Sequence, residues 1–148
     1  MQFNPYLCFE GRTEEAIEFY KAALGAEVEF MMRGSDMPAD AGPAEGAPEG
    51  CGAPSPSAIV HAQVKIGGAS VMMSDGMNSG KAEFKGVTLS LTMENDEQVK
   101  ERFAAISEGG VVHVAPAPTF FASLWGVCSD KFGVNWMVLC PAPVHAQA

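Results

Sequence analysis

The sequence predicts an α+β fold built from two tandem βαβββ modules, and three observations carry that prediction. Apolar residues alternate with period two over several short runs and recur at helical spacing over two others. The runs follow one order, strand, helix, strand, strand, strand, and then repeat it. Shifted by about 80 residues, the first helix falls on the second, with Tyr20 over Phe103. Each copy is too small to bury its sheet alone. The two are therefore expected to form one cupped, mostly antiparallel mixed sheet and a single domain over residues 1–141. Module one spans about 1–80, module two about 86–141, and a tail covers 142–148.

In the first module, Phe3 to Phe9 is an apolar run whose early Pro5 suits a strand start or an edge. Thr13 is the expected N-cap of a helix, Glu14 and Glu15 suit its positive end, and Ala16, Ile17, Tyr20, Ala23 and Leu24 form its apolar face up to Gly25. Val28, Phe30 and Met32 alternate with Glu27, Glu29 and Met31, which predicts a strand with at least one buried face. The stretch 33–57 is rich in Pro, Gly and Ala and reads as a long mobile loop, either a lid or partner contact or simply disordered. Ala58 to Ile66 and Ala69 to Ser74 form a hairpin around Gly67-Gly68.

The second cycle starts with a strand at Val87 to Met93. Asn95 and Gln98 then make a capping box for a helix whose apolar face is Val99, Phe103 and Ile106. Gly109-Gly110 ends it. Val111 to Ala115, Phe120 to Ser129 and Val134 to Leu139 are three further strands, the last two joined at Lys131-Phe132-Gly133.

Composition narrows the partners. The formal net charge is -9 and the pI is near 4.6, so the surface repels phosphate backbones and anionic lipid; neither nucleic acid nor membrane is an expected partner. No apolar run reaches the roughly 18 to 20 residues that span a bilayer, and Met1 to Pro5 lacks the basic and apolar regions of a signal peptide. A cytoplasmic protein is expected. Cys8, Cys51, Cys128 and Cys140 have no CxxC or zinc spacing and read as free thiols, three on strands and one in a loop.

Tyr6, Phe9, Met72, Phe121, Trp125 and Trp136 fall on strands whose alternate residues would line one concave sheet face, the kind of surface that binds a flat or apolar ligand; the other reading is plain core. His61 is either a hydrogen-bonded core or cavity histidine, a ligand-binding or acid–base group, or a metal ligand. His113 lies on a strand and His145 in the tail, and neither has companions that suggest a site. Asp75 and Asp130 end strands as turn-capping residues or as site carboxylates, and Glu10 ends the first strand. The candidate ligand-binding set is thus His61, Tyr6, Phe121, Trp125, Trp136 and Asp75. No phosphate-binding loop, nucleophile elbow or dinucleotide fingerprint is present.

Paired βαβββ modules are the architecture of the vicinal-oxygen-chelate superfamily. The stretches Asn4-Pro5-Tyr6-Leu7, Glu15-Ala16-Ile17-Glu18-Phe19-Tyr20, His61-Ala62, Met72-Met73-Ser74-Asp75, Ser79-Gly80-Lys81-Ala82 and Asp130-Lys131-Phe132-Gly133 resemble its PhnB-like branch in order and spacing. The chain departs from that branch at Phe120-Phe121 after Thr119, where Phe-Trp is usual, at Trp125, and at Asn135, where Pro is frequent.

The resemblance implies a glyoxalase-like fold and a homodimer. In the superfamily's enzymes four His, Glu or Gln side chains hold a divalent metal that chelates two substrate oxygens. The matching positions fall near Asn4, His61, Val87 and Met137, of which only His61 has suitable chemistry. The expectation is a small-molecule binding protein with no metal and no other cofactor. The alternative is a lyase, isomerase or dioxygenase with a divalent transition metal in a rearranged site of His61 with Glu10, Asp75 or Asp130.

Overall fold

A computed structural model describes residues 1–42 and 53–143. The chain divides into two compact units, Met1–Ala82 and Glu83–Ala148. The element order is β1 (Tyr6–Cys8), α1 (Thr13–Leu24), β2 (Glu27–Arg33), a 3-10 turn at Gly34–Asp36, β3 (Ile59–Ile66), β4 (Ala69–Ser74), β5 (Thr88–Thr92), α2 (Asp96–Ser107), β6 (Val111–Ala117), β7 (Ala122–Ser129) and β8 (Asn135–Pro141). The strands make two four-stranded sheets with orders β1-β4-β3-β2 and β5-β8-β7-β6. In each, the first strand pairs parallel with the fourth and the other pairs are antiparallel. This is the glyoxalase-like arrangement.

In the first unit α1 buries Ala16, Ile17, Tyr20 and Ala23 against the Leu7, Ala62, Val64, Val71 and Met73 face of its sheet. Burying each large side chain stabilises the fold by about 1.5–3 kcal/mol. Thr13 is not the N-cap but the first helical residue, and the helix has no side-chain cap of its own. Its cap comes from the end of β4 instead. Asp75, 8% exposed, accepts from Thr13 N at 2.9 Å through Oδ1 and from Ile59 N at 2.8 Å through Oδ2. One carboxylate therefore joins the starts of α1 and β3 to the end of β4. Gly25 closes the helix at φ 68, a left-handed conformation that glycine adopts without a Cβ penalty.

The second unit repeats the plan with different chemistry. Asn95 caps α2 by accepting from Gln98 N at 2.9 Å, while Gln98 Oε1 accepts from Glu94 N at 3.1 Å, so the expected box forms one residue wider on its return side. Val99, Phe103 and Ile106 face the sheet. Gly126 admits Phe103, since a Cβ there would stand 2.8 Å from the ring. Asp130, 2% exposed, holds the β7–β8 turn by accepting from Phe132 N, Val134 N and Trp136 Nε1 at 2.9, 3.0 and 2.8 Å.

Several expectations are corrected. β2 has no buried face: Val28 is 36% and Phe30 47% exposed, because it is a sheet edge and α1 packs over β3. β6, an edge of the second sheet, exposes Val111, Val112 and Val114 likewise. Of the loop expected at 33–57, the described part opens with the Gly34–Asp36 turn and returns at residues 53–58; Cys51 lies outside the described residues, as does His145. Cys8, Cys128 and Cys140 are free thiols, and burial pushes the Cys128 thiol up to about 11, with the Asp130 charge adding to it.

Glu10, in the turn after β1, sits at φ 53, a left-handed conformation that is unusual outside glycine. Its carboxylate accepts from Ser79 N at 2.8 Å and Met77 N at 3.3 Å, and these bonds, Ser79 first, hold it below the usual carboxylate range.

Two predictions follow from these carboxylates. Asp75→Ala strands two buried N–H groups and should lower the unfolding free energy by about 3 kcal/mol in urea titrations; a loss under about 1 kcal/mol would show that the fork is not structural. For Glu10, a folded value below the unfolded one gives stability that is complete above the ordinary carboxylate range and fades as pH falls through the folded value. Melting curves between about pH 6 and 3 should accordingly fall less steeply for Glu10→Gln than for the wild type, and parallel curves would refute the coupling.

Candidate functional site

The face of the first sheet opposite α1 is set by three local irregularities. In β3, Ile59 and His61 oppose the adjacent residues Arg33 and Met32, so Val60 is an extra residue; it lets Ile59 enter the core while His61 turns to the open side. In β2 the extra residue is Glu29, between Val28 opposite Val64 and Phe30 opposite Gln63. The third is the short β1, which places Tyr6 opposite Met72 on the same side.

These features gather an aromatic group around one imidazole. Tyr6 Oη lies 3.2 Å from His61 Nδ1, and the ring centroids are 5.6 Å apart. Phe30 flanks the other side at 6.0 Å. Tyr6 and Phe30 are 46% and 47% exposed although each meets the His61 ring. Beyond Phe30, the Glu29 carboxylate accepts from Gln63 Nε2 at 2.9 Å and from Ser70 Oγ at 3.1 Å. The face thus has an apolar centre of Tyr6, Phe30 and half-buried Met72, an imidazole at one end and a carboxylate–amide group at the other. Phe30 and Glu29 were not legible as site residues, since alternation assigned them to a regular strand and only the bulge brings both to one face.

The other expected residues divide. Trp125 on β7 lies on the open face of the second sheet, with Phe121 just before the strand and their ring centroids 5.7 Å apart, edge to face. Phe120 in turn meets Phe121 at 5.1 Å. Trp125 Nε1 is buried with no hydrogen-bond partner among the described residues. Trp136 is a correction: it is 2% exposed, pairs with Leu89 on the helix side and donates to Asp130, so it is core. Phe9 is core too, 1% exposed and edge-on to Tyr20 at 6.1 Å. Asp75 lines a cleft of about 260 Å³ with Glu14, Ser57 and Asn78, but both its oxygens are engaged by the backbone, and Glu14 is bound to Arg33.

The superfamily's metal can be tested against the donors present. Asn4 precedes β1, His61 is on β3, Val87 precedes β5 and Met137 is on β8: an amide, an imidazole, an isopropyl and a thioether. These do not fit a hard divalent ion. The carboxylates of a rearranged site, Glu10, Asp75 and Asp130, each already accept from at least two N–H groups. Among the described residues no three His, Cys, Asp or Glu side chains are grouped so as to hold a metal ion.

Comparison with known proteins places this geometry. Residues 1–139 match the family model described as 3-demethylubiquinone-9 3-methyltransferase. The chain is 41% identical over 139 residues to protein YjdN of Escherichia coli strain K12, covering 93% of this chain and 94% of that protein. Protein PA1353 from Pseudomonas aeruginosa superposes with a TM-score of 0.77 at 32% identity over 95% of this chain and 98% of its own. A PhnB protein from Bacillus cereus gives 0.72 at 22% identity over 95% and 99%. The fosfomycin resistance protein FosX from Listeria monocytogenes shares the fold at 0.61 with 10% identity over 97% and 94%. These matches establish that the chain belongs to the family described as 3-demethylubiquinone-9 3-methyltransferase, and its fold of paired βαβββ units is shared with the PhnB and FosX structures.

Proposed function

We propose that this PhnB-like chain binds a small, flat organic molecule on the open face of its first sheet, without a metal held by several side chains. The observation that carries the reading is the Tyr6–His61 hydrogen bond beside an exposed Phe30. Two aromatic rings give apolar area at little entropic cost, and an imidazole fixed by one partner keeps its second nitrogen for a ligand polar group. Trp125 and Phe121 offer a second aromatic surface on the other unit.

The alternative, a metal-dependent lyase, isomerase or dioxygenase, rests on family membership; the donor set described above supports it poorly. Methyl transfer, which the family description names, has no support from the described fold either. Neither sheet is a doubly wound parallel sheet with a glycine-rich turn opening a helix, the usual cradle for a nucleotide-bearing cofactor.

A homodimer and a cytoplasmic location complete the proposal. Exposed apolar residues on edge strands, such as Val28 of β2 or Val112 of β6, are surface that a second copy would cover. Among the described residues no helix is long and apolar enough to cross a membrane.

A thermal-shift screen of small aromatic and diketone-like compounds, with and without a chelator, tests the reading. A compound that raises the melting temperature of the wild type equally in chelator should bind about tenfold more weakly to Tyr6→Phe or His61→Ala, close to 1.4 kcal/mol. Stabilisation that disappears in chelator, together with a stoichiometric transition metal by elemental analysis, would overturn the metal-free reading in favour of a metal-dependent site.

A further inference from the structure

The open face of the second sheet carries a chain of hydrogen bonds that the proposed site does not use. It begins at the bulge of β6, where Val112 opposes Cys128 and Val114 opposes Val127, leaving His113 as the extra residue. His113 Nε2 lies 2.6 Å from Ser129 Oγ, and Ser129 Oγ lies 2.8 Å from Asn135 Oδ1. Asn135 Nδ2 then reaches the carbonyl oxygens of Phe84 at 3.1 Å and Val87 at 3.0 Å.

The far end fixes the direction of every bond. Two carbonyl oxygens can be met only by the N–H groups of the amide, so Oδ1 must face Ser129. A hydroxyl has one proton, and that of Ser129 goes to Oδ1. Its remaining capacity is as an acceptor, so His113 Nε2 must be the donor. A neutral ring held in this way carries its lone pair on Nδ1, and Nδ1 has no partner among the described residues on this exposed strand. Ser129 is by the same argument not an activated nucleophile, because its proton points away from the imidazole.

We propose that His113 is a ligand-binding residue, a hydrogen-bond acceptor of fixed tautomer for the O–H of a small planar molecule of the phenol or enol class. The apolar surface that such a ring would cover is present beside it: Val127 and Met137 are half-buried and adjacent on the same face, and Val111 and Val114 are 57% and 38% exposed. A preset tautomer and ring orientation remove part of the ordering cost of binding. This inference stands on the second unit alone and does not depend on the site around His61.

The test uses the full chain labelled with 15N histidine and 4-methylphenol, which keeps its O–H where imidazoles are neutral, as the probe. At a pH where imidazoles are neutral, NMR should show His113 as a single tautomer with Nε2 protonated, and Ser129→Ala or Asn135→Ala should convert it to a mixture. Adding 4-methylphenol should move the His113 Nδ1 resonance, with binding at this site weakened roughly tenfold in Ser129→Ala and abolished in His113→Phe. The proposal is overturned if wild-type His113 already exchanges between tautomers, if the probe leaves its Nδ1 unmoved, or if His113→Phe binds the probe as the wild type does.

Discussion

The first unit depends on one buried carboxylate. Asp75 supplies the cap that α1 lacks and at the same time receives the first ladder N–H of β3. An anion near the N-terminus of a helix is favoured by the helix dipole, and the two charge-assisted bonds offset the cost of removing the carboxylate from water. The consequence reaches the open face. With Ile59 pinned in the core and Ala62 also facing it, the two residues between them must absorb a change of phase, and the extra residue Val60 does so. His61 is thereby turned away from α1. Asp75, a candidate ligand contact in the sequence, thus sets the direction in which His61 points.

The two units use the same frame for different surfaces. The edge strands β2 and β6 bulge at their third residue, at Glu29 in one and His113 in the other, and each bulged side chain reaches across to hydrogen-bond on the open face. His61 and Trp125 occupy matching places near the far ends of β2 and β6. A conserved frame with exchanged side chains is what a duplication leaves once the two halves no longer need the same chemistry. Sheet order and helix packing rest on the core faces, whereas the open faces are free to change.

Much of the frame was legible in the sequence because each element has a local cause. Helical spacing of Ile17, Tyr20 and Leu24, the Gly67-Gly68 turn and the Asn95–Gln98 cap are read from neighbours a few residues apart, and the structure follows them closely. The faces of the strands were less legible. Period-two alternation places Trp136 and Phe9 in core or site with equal ease, and the decision belongs to tertiary partners: Asp130 for Trp136 and Tyr20 for Phe9. Bulges defeat alternation altogether, which hid Glu29, Phe30 and His113. Likewise β2 and β6 alternate as though half-buried, although each is the edge of its sheet and stays largely exposed on both faces.

The account of function turns on whether a ligand touches the Tyr6, His61 and Phe30 face. Methionine methyl groups report on this directly, since Met32 and Met72 lie on that face while neighbouring Met73 is wholly buried beneath it. In a methyl-labelled sample titrated with a stabilising compound, the Met32 and Met72 signals are predicted to move and the Met73 signal to stay. Movement of Met73 alone, or a ligand that saturates the protein while leaving Met32 and Met72 unchanged, would contradict the account.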